Sequence, residues 1–584
     1  MELRRARARP LRLAAALFAA TLAFLPALTG TAEGAPKLEE PRSQTVAPEG
    51  YRLSARKVIR IASRGEKVRA ERVRHTRFRP TAYTRGPGRW QVSWFDGERE
   101  VAQARVDDAT GLVLEEWTGH QVAWTMARGY EGAFGRKLNA PYVWIPLCVL
   151  FLAPFFDPRR PFRLLHLDLL VLLAFGASHV FFNRGEIGVS APLVYPVLLY
   201  LLVRLLAAGF RARERHEWLV PVLPVGWLAL ATVFLVGFRV GLNIVDSNVI
   251  DVGYAGVLGA DRIADGRELY GAGFSEEIER GDTYGPVNYL AYLPFEQLLP
   301  WSGSWDDLPA AHAAAIAFDS ITLLGLLLLG RRLRPGREGR DLGTVLAFGW
   351  AAYPYALFAL ETNANDSIVA MFTVLAMLAL TLEPAHRRAS AVARGAAVGL
   401  GAAAKFVPIV LAPLFAAGCR TERGDRPPGR WALALLFAAA LAAVVALAFA
   451  PFVPDGGLRE LYDRTLGYQA SRPSPFSVWG QVESLEWLQT AVKAAAVGLA
   501  LLVAFVPRRR GPLQVAALGA AVIVAMELAA THWFYLYVVW FAPLALVALF
   551  GPYRGPLRRE AGRPAADPGA AVALPEHDRQ PAAA

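Results

Sequence analysis

The stretch that decides the fold is WALALLFAAALAAVVALAFAPFV at residues 431–453, which contains no charged side chain and follows directly on Arg430. An α-helix needs about 20 consecutive apolar residues to cross the roughly 30 Å hydrocarbon core of a bilayer, and this run is long enough. Similar runs recur along the chain, and hydrophobic residues make up 54% of its 584 residues. The sequence therefore predicts a polytopic integral membrane protein.

About a dozen runs have the length of a membrane segment. They are predicted at residues 141–156, 164–182, 191–209, 218–238, 308–330, 343–360, 366–382, 394–418, 431–453, 491–507, 513–531 and 535–550. Arginine clusters in the short loops mark the cytoplasmic side by the positive-inside rule, which leaves two long loops outside, 239–307 and 454–490. The same placement explains the net charge of +12 without nucleic acid, because no basic stripe lies outside these loops.

The segment 394–418 does not fit a single crossing, because arginines flank both of its ends. Lys405 and Pro408 lie at its middle, where a lysine is costly in lipid and a proline removes a helical hydrogen bond. The simplest topology is a broken helical hairpin that enters the membrane and returns, with Lys405 at its outward tip. With this hairpin the basic clusters all fall on one side.

The N-terminal part of the chain differs from the rest. Residues 1–36 join an arginine-rich start to an apolar run, which is typical of either a cleaved signal peptide or a first membrane anchor. Residues 37–140 are hydrophilic, with helical spacing first and then period-two alternation, as at Trp90–Trp94. The stretch VDDATGLVLEEWTG at 106–119 resembles a PepSY-like domain. That resemblance implies a binding or regulatory module outside the cytoplasm.

These features predict a fold class and a domain plan. The fold class is an all-α polytopic membrane protein of about 12 to 14 membrane segments, with a small α+β extracytoplasmic N-terminal domain. The parts are 1–36, a signal peptide or first anchor; 37–140, the extracytoplasmic domain; 141–238, spans that precede and enter the catalytic module; 239–307, an acidic outer loop; 308–553, the membrane module with the second outer loop 454–490; and 554–584, a cytoplasmic tail rich in Ala and Pro that is expected to be disordered.

Polar motifs follow one another at the outer ends of the spans and in the outer loops. They include Asp246-Ser-Asn-Val-Ile-Asp251-Val-Gly-Tyr254, Tyr284-Gly-Pro286, Lys405-Phe-Val-Pro408 and His532-Trp-Phe-Tyr535. In this order they resemble the GT-C superfamily of membrane glycosyltransferases, especially its polyprenol-phosphate-mannose-dependent branch. The candidates that the resemblance marks are Asp251 and Asp246 for catalysis, and Tyr254, Tyr270, Tyr284, Asn365, Asp366, Lys405, Arg472 and His532 for substrate binding.

The residue types suit such chemistry independently of the resemblance. Transfer of a sugar from a lipid phosphate to an alcohol needs a base at the acceptor hydroxyl and cations at the leaving phosphate. Asp251 or Asp246 supplies a carboxylate beside the membrane, and Asp251 is the preferred base. Lys405 and Arg472 supply positive charge, and arginine binds phosphate in a bidentate manner.

Each candidate also has a purely structural interpretation. Acidic residues in an outer loop often cap helices or stay solvated, and Asn365 and Asp366 precede a predicted helix that they can cap. Lys405 can extend its ammonium to the membrane interface. His532 lies among aromatic residues of the kind that form interfacial belts. Only the spatial arrangement separates these interpretations from a shared site.

The resemblance implies a membrane glycosyltransferase that moves mannose or another hexose or pentose from a polyprenyl-phosphate donor to a glycan or lipid acceptor of the envelope. It implies no cofactor beyond the lipid-linked donor and no metal. Separately, the two cysteines, Cys148 and Cys419, lie far apart and show no metal-binding spacing. The heavy use of Arg, Ala and Gly is typical of a bacterial genome rich in GC, so the bacterial plasma membrane is the expected location. Two other classes stay open: a transporter or flippase of an envelope precursor, and a membrane sensor or assembly factor.

Overall fold

The computed structural model describes residues 38–554, apart from residues 130–133, 135, 212–213, 272–273, 275–277, 279, 306, 384 and 421–428. The predictions for residues 1–36 and for the tail beyond Arg554 lie outside the described residues. Within them, a small sheet domain comes first and a large helical module follows.

The sheet domain, residues 38–118, contains five antiparallel strands in the order β1-β2-β3-β4-β5. The strands are β1 Leu38–Glu39, β2 Phe78–Arg85, β3 Arg89–Asp96, β4 Arg99–Asp107 and β5 Val113–Thr118. Two helices, Ala55–Ala62 and Glu66–Arg74, precede β2. A helical segment followed by a small antiparallel sheet is what the sequence predicts for this region.

The core of the sheet domain follows from the alternation in β3. Successive side chains of a strand point to opposite faces, and Trp90, Val92 and Trp94 therefore share one face. All three are buried and pack in one cluster with Ala55 and Val58 of the first helix. A buried aromatic side chain removes about 150–250 Å² from water, so the two tryptophans are the largest side chains of this core.

The helical module is mostly α-helix. Its helices are Pro141–Leu152, Leu164–Asn183, Ile187–Phe210, Val225–Asp246, Asp251–Ala264, Pro286–Leu298, Pro309–Leu333, Gly336–Ala352, Pro354–Glu361, Asp366–Leu380, Arg387–Lys405, Ala412–Ala417, Arg430–Phe449, Gly457–Tyr462, Tyr468–Ser471, Val478–Gln481, Glu486–Leu502, Pro512–Ala529 and Val538–Phe550. In the described part of the chain, seven helices are long and apolar enough to cross a membrane, or eight if one bent pair counts as a span, and four shorter apolar helices accompany them. The predicted fold class, a multi-pass helical membrane protein with a small N-terminal sheet domain, is confirmed, while the sidedness stays a prediction.

One predicted span, 343–360, is a bent pair of helices. Gly336–Ala352 and Pro354–Glu361 meet at an angle of 57°. Pro354 has no backbone N–H to continue the hydrogen-bond pattern of the first helix, so the chain bends there and a new helix begins. The second helix leads into the segment 361–366, which contributes to the candidate site described below.

The helix Val225–Asp246 extends further than the predicted span 218–238. Hydropathy falls after residue 238 because Arg239 and Asn243 are polar, yet both side chains are buried in the protein. Arg239 pairs with Asp319, and Asn243 donates a hydrogen bond to a backbone carbonyl at 2.8 Å. Polar groups that are satisfied internally do not end a helix. The acidic loop therefore begins after Asp246, where the helix ends, and not at residue 239.

The chain reverses direction within the segment 394–418, as predicted. The helix Arg387–Lys405 ends at Lys405, and after Phe406 the chain returns as far as Gly418. Gly418 lies so close to Arg394 that an added Cβ would collide with the guanidinium. The two arms of the hairpin therefore lie side by side, with Lys405 at the tip.

Candidate active site

Lys405 is the centre of a polar cluster at the hairpin tip. Its Nζ lies 2.6 Å from Asp366 Oδ1 and donates a second hydrogen bond to Asn365 Oδ1 at 2.8 Å. Trp540 Nε1 donates to the same Asp366 oxygen at 2.8 Å. Lys405 is 8% exposed and Asp366 is 1% exposed. Charges this deeply buried are stable only when paired and hydrogen-bonded, and this arrangement meets both conditions.

Three aromatic rings surround the same ammonium group. Lys405 Nζ lies 5.4 Å from the ring centroids of Tyr284 and Trp540 and 5.8 Å from that of Tyr537. These distances are within the range of a cation–π interaction, about 6 Å. Tyr537 and Trp540 stack on each other with centroids 3.9 Å apart. The hairpin tip is therefore held in an aromatic cage that excludes water from the ion pair.

The Tyr-Gly-Pro motif docks directly on the hairpin. Gly285 donates a backbone hydrogen bond to the Ala404 carbonyl at 3.2 Å. A Cβ at Gly285 would overlap the Ala403 carbonyl, so only glycine permits this close approach. Pro286 then opens the next helix at a position where its missing N–H costs nothing. The motif thus places Tyr284 against Lys405.

Two buried tyrosines hold the backbone of Tyr284. The Tyr270 hydroxyl donates to the Tyr284 carbonyl at 2.7 Å, and the Tyr289 hydroxyl accepts from the Tyr284 amide at 3.2 Å. Both tyrosines are fully buried. Tyr270 therefore holds the backbone of Tyr284 in this structure, and its role in substrate binding stays a prediction.

Arg472 and His532 form a second polar pair of the site. Arg472 Nη2 lies 2.8 Å from His532 Nδ1 and 2.9 Å from its Nε2, and Ser474 Oγ lies 2.9 Å from Nδ1. Burial, and then the positive charges of Arg472 and Lys405, lower the pKa of His532 well below its usual range. The imidazole is therefore neutral, and one of its nitrogens can accept the guanidinium hydrogen bond.

The guanidinium of Arg472 keeps unused donor capacity. Its Nε is buried and has no hydrogen-bond partner among the residues that the structure describes. An arginine carries five N–H donors in a planar fork, and the contacts to His532 occupy Nη2. A buried, unsatisfied donor in a cleft indicates a place for an acceptor such as a phosphate oxygen.

Asp251 opens the helix Asp251–Ala264, and its Oδ1 accepts the Val252 amide at 2.9 Å. The side chain is accessible to solvent, but protein surrounds the cleft into which it opens. Desolvation by these walls raises the pKa of the Asp251 carboxyl, and Asp366 raises it further, while the Val252 hydrogen bond and the charges of Arg472 and Lys405 lower it. Asp251 is thus an electrostatic neighbour of the other three charged residues.

A short backbone ladder explains why Asp251 lies near Asp366. The Asn248 amide donates to the Glu361 carbonyl at 3.1 Å, and the Ile250 amide donates to the Thr362 carbonyl at 3.2 Å. These bonds join the segment just before Asp251 to the segment just before Asp366. Two loops that are more than a hundred residues apart in sequence are thereby fixed beside each other.

The Asn363 side chain stabilises the two backbone hydrogen bonds that join these segments. Its Nδ2 donates to Ser247 Oγ and to the Asn248 carbonyl, each at 3.0 Å. Its backbone has φ +49°, a left-handed conformation that asparagine tolerates better than most residues. The Glu361-Thr-Asn-Ala-Asn-Asp366 motif thus has two functions, because Asn363 holds the Asp251 loop and Asp366 holds Lys405.

Two predicted residues lie apart from this cluster in their described contacts. Asp246 ends its helix and pairs weakly with Lys137 at 3.9 Å. Tyr254 is 1% exposed, and its ring stacks on Trp305 with centroids 4.4 Å apart. Asp246 thus has a position distinct from that of Asp251, and Tyr254 packs in a buried apolar cluster with Val257 and Leu258. The other eight predicted residues, which the structure brings together, are Asp251, Tyr270, Tyr284, Asn365, Asp366, Lys405, Arg472 and His532, and their roles stay predictions.

Four residues of the site are not among the candidates that the sequence predicts. Tyr537 and Trp540 stand in an apolar run where aromatic residues look like lipid-facing or core positions. Asn288 Oδ1 accepts from Asn365 Nδ2 at 3.0 Å, and it was hidden in the acidic loop. Trp124 comes from the N-terminal region, yet its ring lies 5.2 Å from Arg472 Cζ. For Asn288 a signal existed, because it follows the Tyr-Gly-Pro motif by two positions.

The assembled groups have complementary chemistry. One accessible carboxylate, Asp251, can accept a proton, and Arg472 can bind an anion beside it. Across the residues that the structure describes, no group of three or more His, Cys, Asp or Glu side chains is arranged to hold a metal ion. The expectation of a site without a metal stays a prediction.

The comparison with known families bears on this cluster directly. Residues 283–531 match the model of glycosyltransferase family 87, which is of the GT-C type. The matched stretch is less than half of the chain. It contains Tyr284, Asp366, Lys405 and Arg472, ends one residue before His532, and leaves Asp251 outside.

No curated protein matches the chain. Among solved structures, the crystal structure of ArnT from Cupriavidus metallidurans bound to undecaprenyl phosphate is similar, with 14% sequence identity and a TM-score of 0.40. The similarity covers 56% of this chain and 60% of that chain, so less than two thirds of ArnT is represented.

Proposed function

We propose that this protein is a membrane glycosyltransferase that transfers a sugar from a polyprenyl-phosphate donor to a hydroxyl acceptor. The observation that carries the proposal is the position of one accessible carboxylate, Asp251, within electrostatic reach of two cations, the buried Lys405 and the half-buried Arg472. The match of residues 283–531 to a glycosyltransferase family supports the same reaction class.

The proposed reaction is a single displacement. Asp251 takes the proton of the acceptor hydroxyl while the hydroxyl oxygen forms a bond to the anomeric carbon. The bond from that carbon to the phosphate oxygen breaks, and the electron pair leaves with the polyprenyl phosphate. General-base assistance of this kind contributes about 10²–10⁴-fold to the rate. Attack opposite to the leaving phosphate inverts the anomeric configuration.

Arg472 is the residue that we assign to the phosphate. The Lys405 charge is compensated by Asp366 at 2.6 Å, whereas the residues described place no carboxylate in an ion pair with Arg472. Its unsatisfied buried Nε, together with its second terminal nitrogen, can form the paired contacts that guanidinium makes with phosphate. Lys405 then holds Asn365 and Asp366 in place, and its third N–H is left to donate a hydrogen bond to the phosphate.

The sugar and the acceptor follow from the resemblance to the mannosyltransferase branch. We propose mannose, or another hexose or pentose, as the transferred group and a glycan or lipid of the bacterial envelope as the acceptor. The reaction takes place on the outer face of the plasma membrane, because the arginine clusters place the loops that carry Asp251 and Arg472 outside. The polyprenyl chain lies between the apolar helices.

A transporter of an envelope precursor is the second candidate, and the broken hairpin favours it. Carriers also bind substrates where a membrane helix is interrupted. The interruption at Phe406, however, does not leave the Lys405 ammonium available as a transport site, since Asn365, Asp366 and three aromatic rings already surround it.

The test uses the full-length protein in lipid vesicles with a radiolabelled polyprenyl-phosphate mannose donor and a membrane extract as the source of acceptor. Label that moves from the donor into a product stable to mild acid supports transfer. A transporter would instead move the intact donor between leaflets, which an added membrane-impermeant enzyme that cleaves the donor would detect. Donor movement without any new product would refute the glycosyltransferase assignment.

A further inference from the structure

A connecting segment, residues 119–129, joins the sheet domain to the helical module. The segment is attached to the sheet through Arg128, which is 6% exposed. Arg128 Nη2 donates to Gln103 Oε1 of strand β4 at 2.9 Å, and its guanidinium lies 5.5 Å from the ring of Trp117 in strand β5. The position of this arginine is therefore set by two strands of the sheet.

Arg128 in turn fixes the fold of the connecting segment. Its Nε donates to the Gln121 carbonyl at 2.8 Å, and its Nη2 also donates to the Val122 carbonyl at 3.2 Å. Gln121 Nε2 reaches the other way, to the Gly185 carbonyl of the helical module at 3.2 Å. The turn between these anchors is thus attached to the sheet on one side and to the module on the other.

Trp124 lies within this turn, and its side chain reaches the candidate site. The ring centroid is 5.2 Å from Arg472 Cζ, 5.8 Å from the His532 ring and 5.5 Å from the Phe476 ring. The Phe476 contact is edge-on at 85°, so Trp124 is wedged between an aromatic edge and a cation. Among the described side chains of the sheet domain and its connection, Trp124 makes the contacts with Arg472 and His532.

We infer that the sheet domain is a working part of the active centre, because it holds Trp124 against Arg472 and thereby orients the guanidinium that receives the donor phosphate. Trp124 is a positioning residue and not a catalytic one. This inference rests on the proposed role of Arg472. An arginine that loses the aromatic face beside it regains freedom of its long side chain. Such a contact contributes about 3- to 30-fold in an equilibrium constant, and the upper end applies when it is shielded from water.

Two alternatives make different predictions. If Trp124 only fills space, an aliphatic side chain of similar bulk serves as well as an aromatic one. If the sheet domain is an independent module that is joined to the enzyme by a passive connection, changes in β4 leave the site unaffected. The positioning role instead requires that aromatic character matters, and that it matters only while Arg472 is present.

The experiment measures binding of undecaprenyl phosphate, a lipid phosphate without a sugar, to the full-length protein in detergent micelles. The variants are Trp124→Leu, Trp124→Phe, Gln103→Leu and Arg472→Ala, together with Trp124→Leu in the Arg472→Ala background. Trp487→Leu, at a tryptophan that is 70% exposed at the start of the helix Glu486–Leu502, is the matched control. The melting temperature of each variant shows that it is folded.

We expect Trp124→Leu to raise the dissociation constant about 3- to 30-fold, Trp124→Phe to restore most of the affinity, and Gln103→Leu to cause a smaller increase. Trp124→Leu should add nothing once Arg472 is Ala. Equal affinity of the Leu and Phe variants, or an additive effect in the double variant, would overturn the positioning role. An unchanged affinity in Gln103→Leu would overturn the part assigned to the sheet.

The same variants separate this inference from the proposed function. Lipid-phosphate binding that depends on Trp124, in a protein that transfers no sugar, would leave the inference standing and refute the glycosyltransferase. Sugar transfer that is unaffected by Trp124→Leu at low donor concentration would leave the glycosyltransferase assignment standing and refute the inference about Trp124. If the proposed function and the positioning role are both correct, the KM for the lipid donor should rise in Trp124→Leu while the KM for the acceptor stays constant.

Discussion

Lys405 Nζ lies 2.6 Å from Asp366 Oδ1, and both side chains are buried at the point where the hairpin reverses. The pair is formally neutral, so its main effect is to hold three separate segments together: the hairpin, the helix that begins at Asp366, and Trp540, which donates to the same carboxylate. The cation left for an anionic ligand is Arg472, whose described partner is the neutral imidazole of His532.

This division of roles predicts different results for the two cations. Arg472→Ala should reduce sugar transfer about 10²–10³-fold, the usual effect of removing a donor that stabilises developing charge. Arg472→Lys should recover only part of the loss, because an ammonium cannot make the paired contacts of a guanidinium. Initial rates of transfer in vesicles measure both. Arg459→Ala, whose side chain is 89% exposed in the same outer segment, is the control, and a comparable loss there would contradict the assignment.

The pH profile should reveal Asp251. A general base works only when deprotonated, so kcat/KM should rise as the pH increases through the pKa of the base. Desolvation by the surrounding protein raises that pKa above the ordinary value of about 3.9 for aspartate. The acidic limb of the pH profile should therefore lie at a higher pH than an ordinary aspartate would give. Arg472 lowers the pKa of Asp251, so Arg472→Gln should move the limb to higher pH. An acidic limb that stays at the same pH, or moves to lower pH, would contradict the electrostatic influence of Arg472 on Asp251.

Gly285→Ala tests the docking of the Tyr-Gly-Pro motif on the hairpin. A Cβ there overlaps the backbone carbonyl of Ala403, which cannot move aside as a flexible side chain can. We expect a loss of roughly 1–3 kcal/mol in stability, as overpacking usually causes, together with reduced transfer because Tyr284 is displaced. Gly226→Ala is the matched control, since nothing lies within 4 Å of its added Cβ. Thermal unfolding of the two variants gives the comparison, and equal melting temperatures would refute the close approach.

Much of the architecture could be predicted from hydropathy, because membrane segments carry a strong local signal. The reversal at Lys405 could also be predicted, since a lysine and a proline in the middle of an apolar segment permit few alternatives. The end of the helix at Asp246 could not, because Arg239 and Asn243 look like loop residues until their buried partners are known.

The site was predicted in part for a similar reason. Asp251, Asp366, Lys405 and Arg472 are charged residues in unusual places, and such residues stand out in a sequence. Tyr537 and Trp540 resemble ordinary apolar positions, and only the packing of their helix against the hairpin makes them neighbours of Lys405. Trp124 belongs to a different domain, so no local pattern connects it with Arg472.

The sidedness of the cleft can be tested with single cysteines in a background of Cys148→Ala and Cys419→Ala. Asp251→Cys should react with a membrane-impermeant thiol reagent in intact cells, because the side chain at this position is accessible to solvent and its loop is predicted to be outside. Gly336→Cys, next to the arginine cluster at the start of its helix, should react only after permeabilisation. Labelling of both positions from the same side would refute the topology.

The central claim, that Asp251 is the base of a sugar transfer, is tested most directly by comparing Asp251→Asn with Asp246→Asn. Asparagine keeps the shape and polarity of aspartate but cannot accept the proton. We expect Asp251→Asn to reduce the transfer rate at saturating donor about 10²–10⁴-fold, with the affinity for the lipid donor unchanged. Asp246→Asn, at the helix end where the described contact is a weak pair with Lys137, should cost much less. Equal and mild effects of the two substitutions, or loss of donor binding in Asp251→Asn, would contradict the assignment of Asp251 as the base.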